Sequence, residues 1–144
     1  MGSKLMNINI KYGTEKIKFN LYEELVVSED RINTELKEQP ATFGFLSLLH
    51  KKLNRIKDDL EAEKDKIWGE IYLEAKSQRD ENTGRPYAND SAKELANSSP
   101  KVHDIILKLN KAKEQAEIIG ACVRSFEQRS HLVQSLSANL RREN

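Results

Sequence analysis

One cysteine, three prolines and six glycines are spread over 144 residues, and only 6% of the chain is aromatic. The single thiol, Cys122, excludes an internal disulfide framework and fits a reducing compartment. So little Pro and Gly leaves few tight turns, which argues against an all-β sandwich. No apolar run approaches the ~18 residues a membrane span needs. The first residues lack a charged-then-apolar leader, so no secretory signal is expected, and Met1-Gly2-Ser3 resembles a cloning remnant.

Catalytic motifs are missing as well. GxGxxG, GxxxxGK[ST] and GxSxG do not occur. His50, His103 and His131 are far apart and no HExxH surrounds them, so neither a metal nor a cofactor is expected. The carboxylate pairs Asp58-Asp59 and Glu23-Glu24 sit among opposite charges and read as solvated faces. Cys122 reads as a small packing residue rather than a nucleophile. The expectation is a protein that is not an enzyme.

Charge is what the chain has in quantity. Charged residues make up 33%, apolar residues 38%, and the net charge is +1. Residues 1–40 and 41–81 are each close to neutral, and the small positive excess falls in residues 82–144. A general electrostatic case for nucleic-acid binding needs a more basic domain than this. Binding must rest on a local patch, or on copies of one patch repeated in an oligomer.

Residues 5–27 alternate. Ile8, Ile10 and Tyr12 share one face, Gly13-Thr14 makes a break, and Ile17, Phe19 and Leu21 resume the two-residue period. That pattern predicts a β-hairpin, which is marginal alone and must pack on helices or a neighbouring chain. Ser28 reads as the cap of a short helix to about Lys37 that Pro40 ends. Thr42 then caps a helix over about 43–79, with a stripe of Leu46, Leu49, Leu53, Ile56, Leu60, Ile67 and Ile71. Residues 80–90 form a loop around Gly84 and Pro86. Ser91 to Glu94 has capping-box spacing and predicts a short helical turn before a new start at Ser99-Pro100.

The final helix, about 100–141, carries the most regular pattern. Its a positions are Val102, Leu109, Ala116, Val123, Ser130 and Ser137, and its d positions are Ile105, Ala112, Ile119, Phe126, Val133 and Leu140. Some 42 residues at 1.5 Å each reach roughly 60 Å, more than the roughly 40 Å diameter of a compact globule of this length. Ile106, Ile118, Cys122 and Leu136 widen the apolar face beyond a two-stranded seam. The expected fold is therefore mainly α: an N-terminal β-hairpin plus a long antiparallel helical hairpin with coiled-coil-like packing, in an oligomer. Two parts are expected, a hairpin and short helix over 4–40 and a long helical hairpin over 41–144. Val102, Ile105, Leu109, Ile119, Val123, Phe126, Val133 and Leu140 are expected to carry oligomerisation.

Basic residues are the remaining candidates. Lys51, Lys52, Arg55 and Lys57 fit helical pairing with Asp58, Asp59 and Glu61. In the loop, Arg79, Arg85 and Tyr87 put two guanidinium groups beside an aromatic, charge for phosphate and ring for base, a pairing that suits single-stranded nucleic acid. A polar turn with Tyr87 packed on the helices is the alternative. Arg124, Arg129, Arg141 and Arg142 form a C-terminal set that also suits the helix dipole.

The layout resembles a known family. KIWGEIYLEAK (66–76), SAKELANSSPKVHDIILKL (91–109) and CVRSFEQRSHLVQSLSANLRRE (122–143) follow the order of the UvsY-type recombination mediator proteins of bacteriophages, over about residues 43–144. The resemblance implies a ring-shaped homo-oligomer in the host bacterial cytoplasm, without membrane attachment. It further implies binding of single-stranded DNA and loading of a phage or host recombinase on strands covered by single-strand-binding protein. The family's DNA-contacting segment corresponds to Lys66, Trp68 and Tyr72. Glu70 and Glu74 replace much of its basic character here, and Lys76, Arg79 and Arg85 downstream supply charge. The competing expectation is a structural or prefoldin-like helical chaperone or scaffold that binds no nucleic acid.

Overall fold

The computed structural model describes residues 4–26 and 32–143. A 3-10 turn, Lys4–Met6, leads into strands β1 (Asn7–Tyr12) and β2 (Glu15–Asn20) and a short helix α1 (Leu21–Leu25). Helix α2 (Ile32–Ser77), helix α3 (Asn89–Asn97) and helix α4 (Pro100–Glu143) follow. The chain divides into two compact units. Unit one comprises residues 1–53 and 115–144, and unit two comprises 54–114. The boundary expected at residue 40 falls within α2, and both long helices contribute to both units.

The hairpin forms as its alternation predicts. Its register pairs Ile8 with Phe19 and Ile10 with Ile17. Gly13 stands at the first loop position with φ +61°, a left-handed conformation that glycine adopts without a Cβ penalty. The inward face joins two cores in unit one. Ile10 packs with Leu49, Leu53, Ala116 and Ile119, edged by Ile8, Ile17 and Phe19. Leu21, Leu46, Cys122 and Phe126 form the second. Leu21 does not extend the strand. It starts α1, because the Asn20 side chain accepts from the Glu23 amide at 3.1 Å and caps the turn.

Two expectations need correction. The cap at Ser28 lies outside the described residues, but Pro40 does not end a helix: α2 runs through it. A proline there removes one backbone donor. Contacts on either side of it anchor the segment, with Gln39 donating to the Phe126 carbonyl at 3.2 Å and Phe43 against the Leu46–Phe126 cluster. The Ser91 capping box is not formed, since α3 starts two residues earlier behind Ala88, which makes no side-chain cap.

The broad apolar face of α4 is largely buried within the single chain. Val102, Ile105, Leu109, Ile119, Phe126 and Val133 are each at most 4% exposed within the single chain. Val123 and Leu140 are half-buried. Past Ile119 the buried stripe shifts toward Cys122 and Arg129, on the side where α1 and the hairpin pack. The hairpin and α1 pack on that flank around Cys122 and Phe126, while Ile106, Ile118 and Leu136 stay half-buried.

Candidate functional site

Unit two brings together every residue proposed for nucleic-acid contact. Trp68 and Tyr72 are one helical turn apart on α2, so their rings meet. Their centroids lie 5.4 Å apart with planes 7° from parallel. The Trp68 indole N–H donates to Asn97 Oδ1 at 2.8 Å, and the Tyr72 hydroxyl donates to Asn89 Oδ1 at 3.4 Å. Both asparagines lie at the ends of α3, so the aromatic pair clamps α3 from its first residue to its last. Ala92 and Ala96, both fully buried, let that helix lie close.

The loop continues the assembly. Gly84 takes φ +68° and Arg79 bridges Pro86 in an antiparallel β-contact. The Asp80 amide donates to the Arg85 carbonyl at 2.7 Å, and the Gly84 amide donates to the Asp80 carbonyl at 2.7 Å. The turn thus sets Arg79 across from Pro86 and Arg85 across from Asp80, with both arginine side chains exposed. Lys76 is half-buried and donates to the Tyr87 carbonyl at 2.9 Å. Lys66 is exposed, and Tyr87 is half-buried.

The seven candidates therefore separate by environment. Lys66, Arg79 and Arg85 present charge to solvent. Trp68, Tyr72 and Lys76 are engaged with α3 and the loop, where they hold local structure. Trp68 and Tyr72 stack on each other, so neither offers an open face on that side to a base. Asn89 and Asn97 were not singled out by sequence, because nothing in their local context signals partners on α2. The basic cluster before Lys57 behaves as helical charge pairing in part. Arg55 bonds Asp59 at 3.2 Å, and Lys57 lies 3.8 Å from Asp58, while Lys52 stands over the Tyr12 ring at 5.6 Å.

In unit one, Arg129 is 5% exposed. Its Nε donates to the Leu25 carbonyl at 3.2 Å, and Nη1 donates to Gln39 Oε1 at 3.4 Å. It lies 5.8 Å from the Phe126 ring centroid. This arginine joins α1, α2 and α4 and is not presented to a ligand. Cys122 is buried, and burial pushes its thiol above the ordinary 9.0, with a backbone hydrogen bond acting in the opposite direction. Among the described residues no group of three or more His, Cys, Asp or Glu could hold a metal ion. No helix among them is long and apolar enough to cross a membrane. No protein-family model, curated protein or solved structure matches this chain.

Proposed function

We propose that this chain is a non-enzymatic recombination mediator of the UvsY type, which self-associates, binds single-stranded DNA and assists recombinase loading. The observation that carries this reading is the loop of unit two. Arg79 and Arg85 are both exposed in one tight turn, where Arg79 bridges Pro86 and the Arg85 carbonyl accepts from the Asp80 amide, with Tyr87 next after Pro86. Guanidinium groups carried on one turn suit phosphate, and a neighbouring ring suits a base. Lys66 adds charge on α2. Self-association draws support from apolar side chains left in solvent rather than from the a and d stripe: Leu73 and Leu107 in unit two are 68% and 55% exposed. Burying such surface between copies is favourable. An oligomer would repeat the arginine pair, and repeated phosphate contacts add.

Fluorescence anisotropy with labelled oligo-dT at two salt concentrations tests the binding. Affinity should drop steeply as salt rises, and Arg79→Ala with Arg85→Ala should weaken it without loss of helicity by circular dichroism. Absence of binding at low salt would sink this reading.

A prefoldin-like scaffold remains the second reading. The two-stranded hairpin joined to two long helices favours it, as does the closed Trp68–Tyr72 stack. Native mass spectrometry separates the readings further, because a mediator ring and a scaffold of paired helices differ in subunit count.

A further inference from the structure

The outward face of the hairpin is polar and basic: Asn20 caps α1 and donates to Asn7 Oδ1 at 2.7 Å, and lysines fill the registers nearer the turn. In register, it carries Asn7 opposite Asn20, Asn9 opposite Lys18, and Lys11 opposite Lys16. Five of the six are exposed, and Asn20 is half-buried. None is acidic and none is apolar. Lys11, Lys16 and Lys18 form no ion pair among the described residues, although salt bridges do form along α2. Tyr12 and Glu15, which close the strand pair at the turn, alternate onto the other side. Like charges directly across a strand pair destabilise it. The Lys11–Lys16 pair therefore works against a hairpin that is already small, and an anionic partner would turn that cost into attraction.

Shape and chemistry narrow the partner. Single-strand binders use aromatic stacking platforms, and this face has no ring. Membrane-surface segments insert apolar side chains, and this face has none. A two-stranded antiparallel ribbon fits the major groove of duplex DNA, about 12 Å wide, where Lys reads guanine O6 and N7 and Asn reads adenine N6 and N7. Asn9 stands opposite Lys18 and next along this face to the Lys11–Lys16 pair, and it is exposed. We infer that the outer face of the β-hairpin is a duplex-DNA contact surface, with Lys11, Lys16 and Lys18 meeting phosphates and groove edges and Asn9 facing the bases. This contact is separate from the Arg79–Arg85 loop and does not depend on it.

The test uses the full chain and a labelled mixed-sequence duplex, at about 50 and about 200 mM salt. Replacing Lys11, Lys16 and Lys18 together with Gln should lower duplex affinity about tenfold or more and flatten the log–log salt slope by about 2 to 3. Lys16→Glu distinguishes binding from folding. It replaces repulsion across from Lys11 with attraction, so the melting temperature should rise while duplex affinity falls. Lys101→Gln with Lys108→Gln, two exposed lysines of α4 outside both proposed surfaces, should leave duplex affinity unchanged. The inference is overturned if the wild-type chain does not bind duplex at low salt, or if the triple Gln variant binds as well as wild type. Better competition by single-stranded oligonucleotide than by duplex overturns it, as does co-flotation with phosphatidylserine vesicles in place of duplex binding.

Discussion

The imidazole of His50 occupies the space that a side chain at position 120 would need. A Cβ placed on Gly120 comes 2.9 Å from His50 Nε2. Glycine inside α4 costs about 1 kcal/mol relative to alanine. The contact gives that glycine a reason: α2 and α4 approach here with an imidazole between them. Gly120→Ala should therefore gain less than the helical ~1 kcal/mol when His50 is present. In a His50→Ala background the same change should recover its full gain. Urea unfolding of the four variants in a double-mutant cycle measures the difference. Equal effects in both backgrounds would show that His50 swings aside at no cost.

Trp68→Phe keeps a ring over Tyr72 and removes the donor to Asn97. An exposed neutral hydrogen bond contributes about 0.5–1 kcal/mol, so the amides of α3 should exchange about two- to fivefold faster. Hydrogen exchange read by mass spectrometry checks this, with amides in residues 4–26 as the internal control. Exchange that quickens equally in both places would mean the bond does not hold α3.

Among the described residues, Arg129 is the one arginine whose fork spans three helices, through the Leu25 carbonyl, the Gln39 side chain and the Phe126 ring. Lysine carries the charge but cannot reproduce a planar fork. Arg129→Lys should cost about 1–3 kcal/mol in urea unfolding. The same substitution at exposed Arg124 should cost no more than a few tenths of a kcal/mol, about the size of an ordinary surface change.

Pro40 leaves one carbonyl of α2 without its helical partner. Pro40→Ala should raise stability by on the order of 1–3 kcal/mol and shift the thermal midpoint upward. A loss of stability would mean that proline limits the unfolded chain more than it disturbs the helix.

Burial holds the Cys122 thiol above 9.0 in the folded state. The folded chain therefore keeps this proton at pH values where the unfolded chain releases it. Its contribution to stability is complete below pH 9.0 and is lost as pH rises beyond it. A pH series of urea midpoints should fall more steeply above 9.0 for the wild type than for Cys122→Ser, and thiol reagents should react only as fast as the core opens.

Local periodicity carried much of the fold. The two-residue spacing of Ile8, Ile10, Ile17 and Phe19 and the three-four spacing along α4 are properties of neighbours in sequence, so the hairpin and the buried stripe were legible. The passage of α2 through Pro40 was not. It depends on Gln39 meeting a carbonyl 87 residues away, and no local rule contains that partner. The turn of the buried stripe toward Cys122 and Arg129 was hidden for the same reason, since it follows the packing of α1. At the candidate site, the exposure of Arg79 and Arg85 could be read from a polar loop with Gly84. The engagement of Trp68 and Tyr72 could not, because Asn97 and Asn89 reach them from another helix. The outward lysines of the hairpin were implied by the same alternation that marked its core, but their opposition depended on register.

Trp68 and Cys122 each occur once, and they fall in different units. The chain therefore carries two natural reporters that need no engineering. Indole emission follows the stacked, hydrogen-bonded environment in 54–114, and thiol labelling follows the core built around Leu46 and Phe126. Recording both signals along one denaturant titration reveals whether the two halves melt as a single cooperative block or in succession.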